Sequence, residues 1–354
     1  MKIKDGIEVS TMNPMTIGTP QDQAYTRFDY SSVLKAEFMD YPLVSIGVPV
    51  FNGEKWVRRA LDSLIRQDYH NIEIIVSDNA SDDSTYEILC SEYINKYPCL
   101  KVIRQQNTIS VVDNFKAVLS EAKGYYFMWA AIDDYWEPSY VSSLVAKMES
   151  DNTFAVAQSA TAKVSEYNFD PIGFVRFNGI KNPEICSPLQ LTKWLVSPHK
   201  YNFYIYGLFK RKLLKEAFKY VPNIASSDRW FLLQFPLAGY KFGYVDEPLY
   251  VRTIRKKPVY VRYKNDDYSK NVKRIEGKWF CFEAVPVVKK MLNDSSMVPN
   301  IPQYRLWAVL TQLIISRLKL GARLMTKSLM FKILPNNFAM YVLNKCRARR
   351  LRKL

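Results

Sequence analysis

Two adjacent carboxylates, Asp133 and Asp134, stand where an apolar run beginning at Tyr125 stops. Side by side they repel each other unless a cation sits between them and a polyanion, which is what a divalent metal with a nucleotide diphosphate provides. The same pair, followed by Glu137-Pro138, also suits an exposed turn. Asp78 directly follows a second apolar run, Ile72 to Ser77. Asp228, ahead of Trp230-Phe231-Leu232-Leu233, sits where a helix N-cap belongs.

Alternating strands and helices must position these groups. Leu43 to Val50 reads as a strand, Phe51-Asn52-Gly53 as a tight turn and Glu54 to Arg66 as a helix. In that helix Trp56, Val57, Ala60, Leu61, Leu64 and Ile65 form the packed face, and Arg58, Arg59, Asp62 and Arg66 are left for the other side. Ile72 to Ser77 is the next strand, Asp78 to Thr85 a polar loop and Tyr86 to Tyr97 a helix. Leu100 to Arg104 and Val111 to Ala122 repeat the plan before the strand Tyr125 to Ile132. This alternation implies an α/β fold with a mostly parallel sheet covered on both faces. Loops after successive strands then converge on the edge where open α/β sheets bind ligands. Asp78 and Asp133 share that crevice, whereas Asp82 and Asp83 suit a helix cap.

The phosphate-binding chemistry is not of the glycine-rich kind. Neither G-x-G-x-x-G nor a Gly-Lys-Ser/Thr occurs, so a metal held by Asp133 and Asp134 is the available partner for phosphate charge. His70 and His199 stand alone, which argues against a histidine zinc site or a Ser-His-Asp triad. Five cysteines are scattered without C-x-x-C, and no N-terminal signal with an apolar core is present. Together these point to a reducing, cytoplasmic compartment.

Three stretches carry a resemblance. Pro42-Leu43-Val44-Ser45-Ile46-Gly47-Val48-Pro49-Val50-Phe51-Asn52-Gly53, Val76-Ser77-Asp78-Asn79-Ala80-Ser81-Asp82-Asp83-Ser84-Thr85 and Trp129-Ala130-Ala131-Ile132-Asp133-Asp134-Tyr135-Trp136-Glu137-Pro138 are similar, in order and spacing, to the landmarks of family 2 glycosyltransferases with the GT-A fold. The resemblance covers residues 42 to 150 strongly and continues more weakly to about 252. It implies a Rossmann-like sheet and a nucleotide-sugar donor whose sugar moves, with inversion, to a saccharide or lipid-linked acceptor. On the matching positions it implies donor contacts at Pro49, Phe51, Asn52, Asp78 and Asp133. It further implies Mn²⁺ or Mg²⁺ on Asp134 and a catalytic base at Asp228, against the capping role the sequence alone assigns there. A third acidic residue often follows the pair in the family; here Tyr135 takes its place. Arg252 and Arg255 follow a strand at the same edge and suit phosphate oxygens. Many relatives carry a histidine shortly after that strand, and this chain has none there, so neither arginine is placed in the site.

The chain divides into an extension over 1–40, a nucleotide-sugar-binding part over 41–150, an acceptor-side part over 151–296 and a helical tail over 297–354. Twelve basic and no acidic residues follow Asp294 in a chain of formal net charge +16, so the body is nearly balanced. From Leu306 onward apolar positions recur at helical spacing with basic residues to one side. Such a helix fits an anionic membrane surface, here the inner face of the cell membrane, or else packs on the domain. The competing functional class is a nucleic-acid binder using the tail with the α/β domain as scaffold. A nucleic-acid reader would interleave basic and exposed aromatic residues across its fold, and the near-neutral body argues against that class.

Overall fold

The computed structural model describes residues 41–175, 182–195, 204–219, 221 and 227–255. The extension over 1–40 and the basic tail over 297–354 lie outside them. The described fold belongs to a compact unit beginning at Pro42.

Three parallel strands open the sheet: β1 (Val44–Val50), β2 (Ile72–Asp78) and β3 (Leu100–Arg104). They alternate with α1 (Val57–Ile65), α2 (Thr85–Leu89), which runs into a π-helical turn over Cys90–Ile94, and α3 (Val111–Glu121). α3 starts where Ser110 Oγ accepts the Asp113 amide at 3.1 Å, a cap for an otherwise unpaired N–H. β4 (Tyr126–Trp129) then lies parallel to β1 on the side away from β2. It is shorter than the apolar run suggested, because Ala131 to Asp134 turn away, with the Asp134 amide donating to the Ala131 carbonyl at 3.1 Å.

The second half mixes directions. After β5 (Tyr135–Trp136) and α4 (Tyr140–Ser150) come β6 (Phe154–Ser165) and β7 (Pro171–Val175). α5 (Pro188–Leu195), β8 (Leu208–Lys210), α6 (Arg211–Phe218), α7 (Ser227–Ala238) and β9 (Lys241–Ile254) follow. The sheet runs β3-β2-β1-β4-β8-β6-β9-β5, with β7 beside β6. β8 is antiparallel to both β4 and β6, and β5 is antiparallel to β9, so the parallel arrangement belongs mainly to the first half. The expected turn at Asp246 and Glu247 is an exposed interruption inside β9, between the segments that pair with Phe154–Ser159 and Thr161–Ser165.

Helices cover both faces. Val44, Ile46, Val48 and Val50 of β1 pack with α1, α2 and α4 on one side, and the other side holds α3, α5, α6 and α7. Alternation along a strand sends every second residue to one layer, and on the opposite layer β1 has Gly47. A Cβ there would lie 2.7 Å from Phe127 Cζ and from Val118 Cγ2, so only glycine lets α3 and β4 close on the strand. Trp129 is fully buried in that second layer, ringed by Phe115, Phe127, Phe209, Phe218 and Phe231. No helix among the described residues is long and apolar enough to cross a membrane.

Candidate active site

β2, β1 and β4 are neighbours and parallel, so the residues after their carboxyl ends meet at one edge. Phe51 follows β1, Asp78 ends β2, and Asp133 lies four residues past β4. Pro49 is the β1 partner of Ser77, one residue before Asp78.

The loops at this edge are tied to each other. Asn52 adopts a left-handed φ of 51°, a conformation asparagine tolerates better than most residues. Its amide donates to Ser81 Oγ at 3.0 Å, its side-chain Oδ1 accepts the Asp82 amide at 3.0 Å, and its Nδ2 donates to Asp82 Oδ1. Asn52 therefore latches the first loop to the second with its side chain. Asp83 accepts the amides of Glu54 and Thr85, which fits the capping role read from sequence. Asn79 exchanges two hydrogen bonds of 2.9 Å with the backbone of Ile109, fixing the loop before α3.

Asp78 is fully buried. Its Oδ2 accepts the Ser81 amide at 3.3 Å and lies 3.5 Å from Arg104 Nε, whereas Oδ1 has no partner. An unpaired buried acceptor costs on the order of 1–3 kcal/mol. At a ligand-binding edge that oxygen suits an incoming N–H donor.

The two adjacent carboxylates have different surroundings. Asp134 is buried; Oδ1 accepts the Thr253 amide at 2.8 Å and Oδ2 accepts the Tyr250 hydroxyl. Burial first, and Asp133 beside it, push the Asp134 carboxyl up to about 7, against the opposing hydrogen bonds and Arg252. Asp133 is the more accessible, at 20% side-chain exposure, and its Oδ2 lies 2.7 Å from Arg255 Nη2. Arg59 comes from below and donates from Nη2 to the Asp133 carbonyl and to Thr253 Oγ1, both at 2.7 Å. The sequence reading put Arg59 on the outward side of α1 with Arg58. Arg58 does lie outside, paired with Glu92, but Arg59 turns inward under the site.

The expected metal was tested against these partners. A hard dication at such a site takes one or two carboxylates from the protein and completes its shell with water and substrate phosphate. Here both Asp134 oxygens are held by the fold and one Asp133 oxygen by an arginine. Among the described residues no group of three or more His, Cys, Asp or Glu side chains is disposed to hold a metal. As placed, the pair leaves one carboxylate oxygen, on Asp133, outside these contacts, a poor fit for a divalent cation, and Asp134 is built in as the anchor of β9 instead.

Asp228 lies in the first turn of α7, inside the helix rather than before it, and is half-buried. The helix is fixed by Phe231, 5.7 Å from the Trp129 ring and 5.9 Å from Phe209. Burial, then the negative charges of Asp134, Asp133 and Asp228, raise the pKa of the Tyr206 hydroxyl, so Asp228 and the pair act on one group. The structure thus sets Phe51, Asp78, Asp133 and Asp134 at or after the carboxyl ends of β1, β2 and β4, and Asp228 acts with the pair on Tyr206. Sequence reasoning missed Tyr250 and Thr253, whose hydrogen bonds to Asp134 span more than a hundred residues.

Residues 45–218 match the family model described as Glycosyl transferase family 2. A chondroitin synthase of Pasteurella multocida strain Pm70 is 30% identical over 158 residues, 45% of this chain and 16% of the relative. The chain thus spans about a sixth of that curated relative's length. Among solved structures, S. aureus TarS 1-349 superposes with a TM-score of 0.56 at 17% identity, covering 81% of this chain and 77% of that one. The same protein in complex with UDP-GlcNAc gives 0.56 at 16% identity, covering 81% and 78%. At such identities the structures speak for the fold alone, and the fold is the GT-A arrangement of mixed sheet and flanking helices. With the family match over the strands that lead to Asp78 and Asp133, residues 45–218 of the chain belong to glycosyltransferase family 2.

Proposed function

We propose that this chain transfers a sugar, with inversion, from a nucleoside-diphosphate sugar to an acceptor hydroxyl. The observation that carries the reading is the convergence of Phe51, Asp78 and Asp133 after three adjacent parallel strands, with the Oδ1 of Asp78 buried and unpartnered among them. In this reading Asp78 accepts an N–H of the base, Phe51 offers the base a flat face, and Asp133 lies near the ribose. Pro49 and Asn52 shape the wall by holding the first loop.

Asp228 acts as general base. Its carboxylate takes the proton of the acceptor hydroxyl, the oxygen forms a bond to the anomeric carbon, and the bond to the diphosphate breaks with its electron pair on the leaving oxygen. A single displacement from the far face inverts the anomeric centre. The UDP-GlcNAc complex of TarS and the chondroitin synthase relative support a nucleotide sugar as donor class and a saccharide as acceptor class. Synthesis of a cell-surface polysaccharide or glycolipid at the cytoplasmic membrane face belongs to the same proposal, motivated by the basic residues after Asp294.

The test is to incubate the full-length protein with a panel of nucleotide sugars and follow nucleoside diphosphate release. Release from one donor, stimulated by a saccharide acceptor, is the expected result. Failure to release from any of them, with the protein folded, would remove the reading.

A further inference from the structure

The aspartate pair lies against more cationic charge than its own neutralisation requires. Arg255 Nη2 is 2.7 Å from Asp133 Oδ2, with the arginine side chain only 9% exposed. Arg59 holds the Asp133 carbonyl from the other side. Arg252 is near enough to Asp134 to favour its ionised form. Nε and Nη1 of Arg59 and Nε of Arg255 are buried without a hydrogen-bond partner.

Aromatic rings offset part of that cost. Arg59 Cζ lies 4.0 Å from the ring centroid of Phe169, 5.0 Å from Tyr135 and 5.5 Å from Trp56, and Arg255 Cζ lies 5.3 Å from Trp56. A cation over a ring face is stabilised by the ring quadrupole, but by less than an unpaired buried donor costs. The fold therefore keeps guanidinium groups at this edge with donors to spare. Phe169, which caps Arg59, has a left-handed φ of 57° at the turn before β7, an unusual conformation for a bulky residue.

Such a site opposes a dication. Like charges this close repel, the more so away from bulk water, and three of the four carboxylate oxygens of the pair are already engaged. A planar guanidinium, in contrast, presents paired N–H groups that match phosphate oxygens.

We propose that Arg255, held in place by Asp133 and backed by Arg59, supplies the positive charge that meets the donor's diphosphate, so that this chain binds its donor without a divalent cation. The proposal rests on the nucleotide-sugar reading above. When the donor enters, Arg255 exchanges the Asp133 oxygen for a phosphate oxygen, and Asp133 is freed toward the ribose.

The experiment is calorimetric titration of the full-length protein with a panel of nucleoside diphosphates, in chelator and again in Mn²⁺. One of them should bind with the same affinity in both. Arg255→Met should weaken that binding about tenfold or more, as loss of a charge-assisted hydrogen bond does, with Arg255→Lys intermediate. Arg255→His should make the binding respond to Mn²⁺, since imidazole can ligate a metal and guanidinium cannot. Binding that requires Mn²⁺ in the wild type overturns the inference and returns the metal to the aspartates; full affinity in folded Arg255→Met overturns it as well. If Arg255→Met does not fold, the wild-type chelator comparison and the Lys and His variants decide. No binding of any nucleoside diphosphate under either condition would sink the donor reading itself.

Discussion

The donor-side half and the acceptor-side half share one sheet but hold their functional groups by different means. Around Phe51 and Asp78 the fixing contacts join loops that lie about 30 residues apart: Asn52 with Ser81 and Asp82, Gly53 with Thr85, Asn79 with Ile109. Asp134, late in the donor-side half, is instead tied across the domain to Tyr250 and Thr253 of the acceptor-side half, and Asp228 depends on an aromatic cluster drawn from β4, β8, α6 and α7. The contrast teaches that the nucleotide wall can form from local supersecondary structure. The catalytic side forms only once the second half has wrapped back onto β4.

Trp129 is the most direct place to break that dependence, since it belongs to a donor-side strand and touches α6 and α7. Trp129→Ala should lower unfolding free energy by about 3–5 kcal/mol and reduce sugar transfer more than donor affinity. Denaturant midpoints together with both functional readouts check this. A loss below about 1 kcal/mol would mean that the halves do not share a core there.

A smaller effect comes from Asp134, whose carboxyl burial raises to about 7. The native state then holds a proton that the unfolded chain releases near the ordinary value of about 3.9. This contribution to stability is full below the unfolded value and is lost as pH rises through about 7. Asp134→Asn keeps the shape and can still accept the Thr253 amide, but it does not titrate. The thermal midpoint of the variant should therefore gain on the wild type as pH rises from about 4 to about 8. A constant difference across that range would show that Asp134 is not protonated by burial.

The first half was largely legible in the sequence. β1 and β2 are mostly buried parallel strands and read as apolar runs, β3 is the half-exposed edge strand, and the polar loops after them carry the turn residues the structure uses. Asp82 and Asp83 were read as structural, and they are bonded as such. β5, only two residues long, had no periodicity to reveal it. Arg59 was missed because helical periodicity says which face is apolar, not that a charged residue in the first turn reaches beneath a neighbouring loop. The partners of Asp134 lie 116 and 119 residues away, and no local pattern encodes such a contact. Arg255 already reads at this edge as suited to phosphate oxygens, whereas Thr253 gains its role only from the passage of β9 beside the pair.

The central claim is a division of labour, with donor binding at the β1, β2 and β4 edge and at Arg255, and proton removal at Asp228. It is tested most directly by measuring donor binding and sugar transfer side by side in Asp228→Asn. The amide keeps the shape of α7's first turn and cannot take a proton. Donor affinity should stay within about twofold of wild type while transfer falls by about 10²–10⁴, the usual contribution of a general base. A parallel loss of both, or transfer that survives the substitution, would contradict it.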